Sequence, residues 1–436
     1  TDGEGRAAPA TCTLLGSLSN STLLAPTKTR IFTNDGPRGD IDYSHMAMMA
    51  QMPPKAPWRW IAVWQSAHSK EGTDDQHFRC AFSQDARGWT ASVSMSGMRE
   101  LAGPVWGPVL HTVGDVLWLF YSESPTCKRS APAGNPELPN RWCPGGHIKY
   151  IKSENGIRWT KPVTIYTQEK DGNVPKVLAN QMIITRKGRW LLPFWQEPPS
   201  QWEPTVACPS MAPHKAGVLY SMNQGKSWKV SDALQDTHTY LFEGTLAQLA
   251  NDTILQLFRT NTGAVYQSFS YDEGVRWSTP EPTSSLPNPN SKLNLIRLEG
   301  SDVLAVGYNH MGGPNMPRAR SNLFVSLSLD SGSTWHKISE IETDPSVFSQ
   351  WHYPTLAQEG CRLFVAYSSL HKSMYSFEDP KVIGGVHLAE IDLSRADLSE
   401  RSLLPLIDWK MPWEENDEFM AVPKITIDGR IALDSR

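Results

Sequence analysis

The sequence has no cluster of basic residues. Its 41 Lys and Arg against 45 Asp and Glu leave a formal net charge of −4, with no Lys/Arg block to neutralise a phosphate backbone or an anionic lipid surface. Nucleic acid is therefore not an expected partner. Every apolar run is far shorter than the roughly 20 residues of a membrane-spanning helix, so no membrane span is expected. With hydrophobic residues at 39%, the chain reads as globular rather than disordered. The six cysteines include no CxxC pair and no histidine partner at zinc-ligand spacing, so neither a metal nor a cofactor is implied. Cys127 and Cys143 bracket a Pro/Gly-rich insertion that they could staple, whereas Cys80, inside the strand-like run His77–Ser83, reads as a buried thiol. The chain opens on Thr1 with no basic segment leading into an apolar one, and carries two sequons, Asn20-Ser21-Thr22 and Asn251-Asp252-Thr253. A secreted or lumenal protein with its signal peptide removed is the expectation.

Short strands and tight turns dominate the composition. Seventeen Trp, 33 Pro and 31 Gly disfavour an all-α fold. The organising signal is a repeated octapeptide, S-x-D-x-G-x-x-W, at Ser270–Trp277 and Ser328–Trp335, with Asn for Asp at Ser221–Trp228. Ser153–Trp159 and Ser83–Trp89 are copies one residue short. Ser and Asp side chains bond turn backbone, Gly accepts a positive φ, and Trp covers the blade edge, so these residues hold turns and do not catalyse.

Each box follows two strand-like runs: Arg59–Ser66 with His77–Ser83, Val116–Glu123 with His147–Ser153, Arg189–Glu197 with Ala216–Ser221, Thr253–Thr260 with Ala264–Ser270, and Asp302–Asn309 with Asn322–Ser328. A sixth pair, Arg362–Ser369 with Gly384–Leu393, lacks the box. Six pairs predict an all-β, six-bladed β-propeller of four-stranded antiparallel blades. The expected organisation is an N-terminal segment 1–39, a propeller over 40–395 and a C-terminal tail over 396–436. Within it, Ser21–Phe32 is expected to supply the outer strand of the sixth blade before Tyr43–Met52 begins the first, which leaves no sheet edge open. Ile425–Leu433 in the tail reads as a short hairpin.

With these boxes the chain resembles the sialidase (neuraminidase) superfamily over roughly residues 40 to 395. The resemblance implies an axial site with a tyrosine nucleophile, an activating glutamate, three arginines around the substrate carboxylate and an acidic general acid. A phenol suits this chemistry because a carboxylate nucleophile would be repelled by the carboxylate on the sugar's anomeric carbon. Carried over residue by residue, Phe242-Glu243-Gly244-Thr245-Leu246 supplies the glutamate, Leu257-Phe258-Arg259-Thr260 the second arginine, Arg320-Ser321-Asn322-Leu323 the third, and His352-Tyr353-Pro354-Thr355-Leu356 the tyrosine. Two elements depart. Where the family's first arginine follows an aromatic residue, this chain reads Asp42-Tyr43-Ser44-His45-Met46, with His45 and Arg38 the nearest basic residues. The acid loop, Lys70-Glu71-Gly72-Thr73-Asp74-Asp75-Gln76-His77, offers three carboxylates, with Asp75 favoured and Glu71 and Asp74 open.

Each candidate has a structural alternative. Tyr353 could be a core tyrosine, Arg259 a salt-bridge partner of Glu243 alone, and either Arg318 or Arg320 the inward arginine. Leu286–Ser291 and Gly307–His310 read as turns, with their amides as alternative sugar contacts. The implied activity is an exo-glycoside hydrolase acting on a glycan or glycoconjugate with a terminal acidic sugar. Tyr353, Glu243 and Asp75 would be catalytic; Arg259, Arg320 and His45 would hold substrate. One rival is a uronate-polysaccharide lyase using His45 and Tyr353. Another is a non-catalytic carbohydrate-binding propeller.

Overall fold

The computed structural model describes residue 12 and residues 23–35, 40–68, 71–95, 103–124, 144–197, 214–310, 320–343, 349–371, 384–395, 424–425 and 431–432. Its strands form a six-bladed β-propeller. Blade 1 contains Tyr43–Gln51, Trp60–Ala67, His77–Ser83 and Val93–Ser94; blade 2 contains Val105–Val113, Val116–Glu123, His147–Ser153 and Val163–Tyr166. Blade 3 divides its innermost strand into Lys176–Val177 and Ile183–Ile184, both paired to Trp190–Gln196, and continues through Ala216–Ser221 and Lys229–Val230. Blade 4 holds Phe242–Gln248, Ile254–Arg259, Gly263–Ser270 and Glu281–Asn288. Blade 5 holds Asn294–Arg297, Leu304–Asn309, Leu323–Ser328 and His336–Glu342. Blade 6 uses Ser349–Glu359, Arg362–His371 and Gly385–Asp392, and its outer strand is Thr27–Thr33 from the start of the chain. All twelve strand-like runs read from the sequence recur as the second and third strands of the blades, within two residues of their expected ends. In the tail, Lys424–Ile425 pairs with Ile431–Ala432; the rest of 396–436 lies outside the described residues, as do Asn20, Cys127, Cys143 and Cys208.

The boxes explain their own length variation. In the eight-residue copies two successive residues take positive φ, as in Gln224-Gly225, Glu273-Gly274 and Ser331-Gly332; the seven-residue copies keep only Ala86 or Gly156. The serine hydroxyl accepts the N–H of the second such residue in the long copies, as Gly274 to Ser270 at 2.8 Å, and of the single one in the short copies, as Ala86 to Ser83 at 2.9 Å. The missing residue is thus the extra left-handed one, and the turn survives without it. Trp335, Trp228, Trp159 and Trp89 each donate the indole N–H to the carbonyl of that glycine or alanine. Cys80 is a buried thiol, as expected.

Closure of the ring between blades 6 and 1 uses charge as well as strand pairing. Arg59 of blade 1 meets Glu359 at 2.5 Å, Arg362 meets Glu359 at 3.2 Å and Glu390 at 2.8 Å, and Arg87 of the first box meets Glu390 at 3.0 Å. A Cys12–Cys361 disulfide, which no spacing in the sequence singled out, ties the N-terminal segment to the sixth blade. Hydrogen bonds from Arg362 and then Arg87 outweigh burial and hold the Glu390 carboxyl down at about 2. A depressed carboxyl contributes stability that is complete above its unfolded value and is lost as pH falls through its folded one. Glu390→Gln is expected to lower the Tm at neutral pH. It should also remove part of the acid loss that the parent shows between the ordinary value of 4.5 and about 2. Thermal melts across that range that superimpose for the two proteins would show that the network contributes nothing.

Candidate active site

A regular strand sends neighbouring side chains to opposite faces. The innermost strands of blades 1, 2, 4 and 6 break that alternation with the same device. Register shifts fall at His45/Met48, Trp106/Val109, Phe242/Thr245 and His352/Thr355. The residue after each ring side chain is left-handed: Met46 at φ 55°, Gly107 at 54°, Glu243 at 50° and Tyr353 at 58°. For residues with a Cβ this conformation costs roughly 1–3 kcal/mol and needs outside support. Neighbouring blades supply it. Gln65 of blade 1 accepts the Gly107 N–H at 3.2 Å, Asn180 of blade 3 donates to the Glu243 carbonyl at 2.7 Å, and the buried Lys292 ammonium donates to the Pro354 carbonyl at 2.5 Å and to the Thr355 hydroxyl at 3.2 Å.

Glu243 and Tyr353 then meet Arg259, the last residue of the second strand of blade 4. One guanidinium nitrogen, Nη1, donates to Glu243 Oε1 at 2.9 Å and to the Tyr353 hydroxyl at 2.5 Å. The arginine's Nε donates to Asn290 Oδ1 at 2.8 Å. Arg320 donates to the Asn290 carbonyl at 2.5 Å and to His352 Nδ1 at 3.0 Å. The Leu286–Ser291 run, expected as a turn, is one only in part: Leu286–Asn288 end the outer strand of blade 4, paired to Gly263–Ala264, and the bend that follows carries the left-handed Asn290 that contacts both arginines. The second run expected as a turn, Gly307–His310, is instead mostly strand, since Gly307–Asn309 end the second strand of blade 5 paired to Leu323–Val325, and Asn309 donates to the Arg320 carbonyl at 3.2 Å. His45 lies with its ring centroid 4.1 Å from that of Tyr353.

Burial sets the electrostatics. It raises the Tyr353 phenol well above its usual range, with Arg259 opposing. It pulls Arg259 down, but Glu243 and Tyr353 more than restore the charge. His45 is driven well below the ordinary histidine value by burial and then by Arg320, Lys292 and Arg259, so it is neutral. Lys292 is pushed down to about 7 by burial against the pull of Glu243.

The structure thus brings together five of the six expected residues, Tyr353, Glu243, Arg259, Arg320 and His45, from blades 6, 4, 5 and 1. Asp75 is not among them. It is exposed, its carboxylate accepts the His68 N–H at 2.6 Å, and hydrogen bonds from Thr73 and His68 outweigh burial to keep it ionised. Asp74 is exposed too. Glu71, from the same loop, is the half-buried carboxyl that faces the centre: Gln65 donates to it at 3.2 Å, and burial lifts it to about 7, with Glu243 adding and Arg320 opposing. Arg38 and Arg318 lie outside the described residues. Sequence reasoning missed Lys292, Asn180 and Glu197. Glu197 accepts the Trp195 indole N–H at 2.9 Å and is raised to about 7 by burial, with Arg259 opposing. Its signal was available, since it closes the apolar second strand of blade 3 as Arg259 closes that of blade 4. Among the described residues no three His, Cys, Asp or Glu converge to hold a metal ion.

Comparison with known proteins agrees with this architecture. A sialidase of Bacteroides fragilis is 25% identical over 208 residues, 47% of this chain and 36% of the relative, so the chain spans about a third of that protein's length. A Dyadobacter fermentans protein of unknown function superimposes with a TM-score of 0.63 at 14% identity, covering 84% of this chain and 97% of the other. Trypanosoma rangeli sialidase, solved with 2,3-difluorosialic acid as a covalent intermediate, superimposes with a TM-score of 0.59 at 12% identity, covering 87% and 59%. The BNR repeat-like domain family matches residues 59–365, most of the propeller. The chain belongs to that family, within the sialidase superfamily.

Proposed function

We propose that the protein is an exo-glycosidase that releases a terminal acidic sugar with retention of configuration. The observation that carries this reading is the single guanidinium nitrogen of Arg259 that touches both the Tyr353 hydroxyl and Glu243. An anion-binding group in contact with the attacking oxygen suits a substrate whose carboxylate sits on the attacked carbon itself, as in a sialic acid. In the first half-reaction Glu243 takes the phenolic proton, the Tyr353 oxygen bonds to the anomeric carbon, and the bond to the leaving oxygen breaks as that oxygen takes a proton from the acid. We assign the acid to Glu71 rather than Asp75, because a carboxyl lifted to about 7 still holds its proton near neutrality. In the second half Glu71 accepts a proton from water, whose oxygen replaces the tyrosine on the anomeric carbon. Tyr353 leaves and recovers its proton from Glu243. Arg259 and Arg320 hold the carboxylate throughout. The Trypanosoma rangeli neighbour, solved as a covalent intermediate, supports a two-step course. The Cys12–Cys361 disulfide and the exposed sequon at Asn251 support a secreted or lumenal setting.

One observation favours a second reading. Among the described residues His45 Nδ1, buried beside Tyr353, has no hydrogen-bond partner, so a neutral base is available for a lyase that abstracts the proton next to a uronate carboxylate.

Product analysis separates the readings: hydrolysis liberates a reducing acidic sugar, elimination creates an ultraviolet-absorbing double bond, and a lectin-like propeller binds without turnover. Tyr353→Phe is expected to abolish release of the acidic sugar; retained turnover would overturn the nucleophile. Activity should fall as pH rises through about 7, where Glu71 loses its proton. Glu71→Gln should erase that basic limb and slow natural glycosides by about 10²–10⁴-fold, while sparing aryl glycosides whose leaving groups need no proton. An Asp75→Asn variant with the larger loss would return the acid role to Asp75.

A further inference from the structure

The four bulges are one backbone device used four times, and two of its positions carry the glutamate and tyrosine of the proposed chemistry. Blade 4 uses its left-handed residue for Glu243 and blade 6 for Tyr353. At the blade 2 position no side chain fits, because a Cβ on Gly107 would lie 1.7 Å from the Leu178 carbonyl oxygen. The fourth position, in blade 1, holds Met46. Its φ of 55° lies within a few degrees of those of Glu243 and Tyr353, and its register break occupies the corresponding place on the strand. Met46 is 7% exposed and belongs to the same apolar group as Trp106, Trp195, Phe258 and Tyr353.

The charges around Tyr353 are unevenly placed. Arg259 comes from blade 4, and Lys292 and Arg320 from the chain between blades 4 and 5 and within blade 5. Blade 1 contributes the neutral His45 ring and Met46, and the loop before its third strand contributes the Glu71 carboxyl. We propose that Met46 is a specificity-determining residue. It makes the blade 1 wall of the sugar site apolar, so the site takes a sugar bearing a single carboxylate. That carboxylate lies against Arg259 and Arg320, and an uncharged C–H or acyl-methyl face packs on the thioether. A second anionic substituent on that face would be desolvated without a partner. This assignment rests on the proposed acidic-sugar site.

The test uses the full chain and equilibrium binding rather than turnover. The probes are N-acetylneuraminic acid, glucuronic acid and the methyl ester of each. Met46→Arg puts a guanidinium on the blade 1 wall, and is expected to raise the acid-over-ester affinity ratio by about tenfold or more, the scale of one charge-assisted hydrogen bond. Met46→Gln, similar in length and neutral, should weaken acid and ester together and leave the ratio unchanged. An unchanged ratio in a folded Met46→Arg protein would overturn the proposal. If that variant fails to fold, unaltered affinity of Met46→Gln for every probe the parent binds would do the same. Failure of the acidic-sugar reading looks different: neither the parent nor Met46→Gln binds any of the four probes. In that case, binding of an acid gained by Met46→Arg supports the role of Met46, and no binding by any variant counts against it as well.

Discussion

The left-handed bulge on the innermost strands is the constraint on which the rest of this propeller depends. Without it Glu243 and Tyr353 would follow the strand alternation set by Phe242 and His352, and the two could not both reach Arg259. The bulge is unfavourable in isolation, and its support is drawn from the neighbouring blade: Gln65 for Gly107, Asn180 for the Glu243 carbonyl, Lys292 for the Pro354 carbonyl. Each support therefore acts across a blade boundary. It follows that the site exists only in the closed ring. The Thr27–Thr33 strand, the Cys12–Cys361 disulfide and the Arg59, Arg87, Arg362, Glu359 and Glu390 network contribute to function by keeping those boundaries shut.

Burying so many ionisable groups together is costly unless most of them pair or become neutral. Both solutions are used. Arg259 keeps its charge through Glu243 and Tyr353, while Glu71, Glu197 and Lys292 are all shifted to about 7. His45 gives up its charge altogether. Arg320, drawn down by burial and by Arg259, donates to the Asn290 carbonyl and to His352, and among the described residues no carboxylate forms an ion pair with it, so an incoming anion would supply a charge partner. Donors fixed in advance around a place for negative charge need little reorganisation when that charge arrives.

Much of this was legible in the order of residues. The boxes record their turn chemistry in seven or eight consecutive positions, and together with six paired strand runs they set the blade count; the outer strand of the sixth blade, expected over Ser21–Phe32, runs from Thr27 to Thr33. Glu243, Arg259, Arg320 and Tyr353 were legible because each stands at a recurrent place, at the start of an inner strand or beside a second strand, in the order that the superfamily resemblance requires. The acid loop was not. Asp75 and Glu71 are four residues apart in one polar segment, and only the fold shows Gln65 of the preceding strand donating to Glu71 while the His68 N–H holds Asp75 outside.

Sequence by itself determined the repeat, the propeller and the central cast of side chains, because turns and strands are written in contiguous residues. Tertiary structure alone decided what those side chains are to one another. The contact between Arg259 and Tyr353 joins residues 94 apart, and the lysine that pins the Tyr353 bulge is 62 residues from the carbonyl it holds. Met46 reads as an ordinary apolar strand residue until its φ is set beside those of Glu243 and Tyr353. Burial, which moves Glu71 and Lys292 toward neutrality and leaves Asp75 ionised, is a property of the closed ring and not of any segment within it.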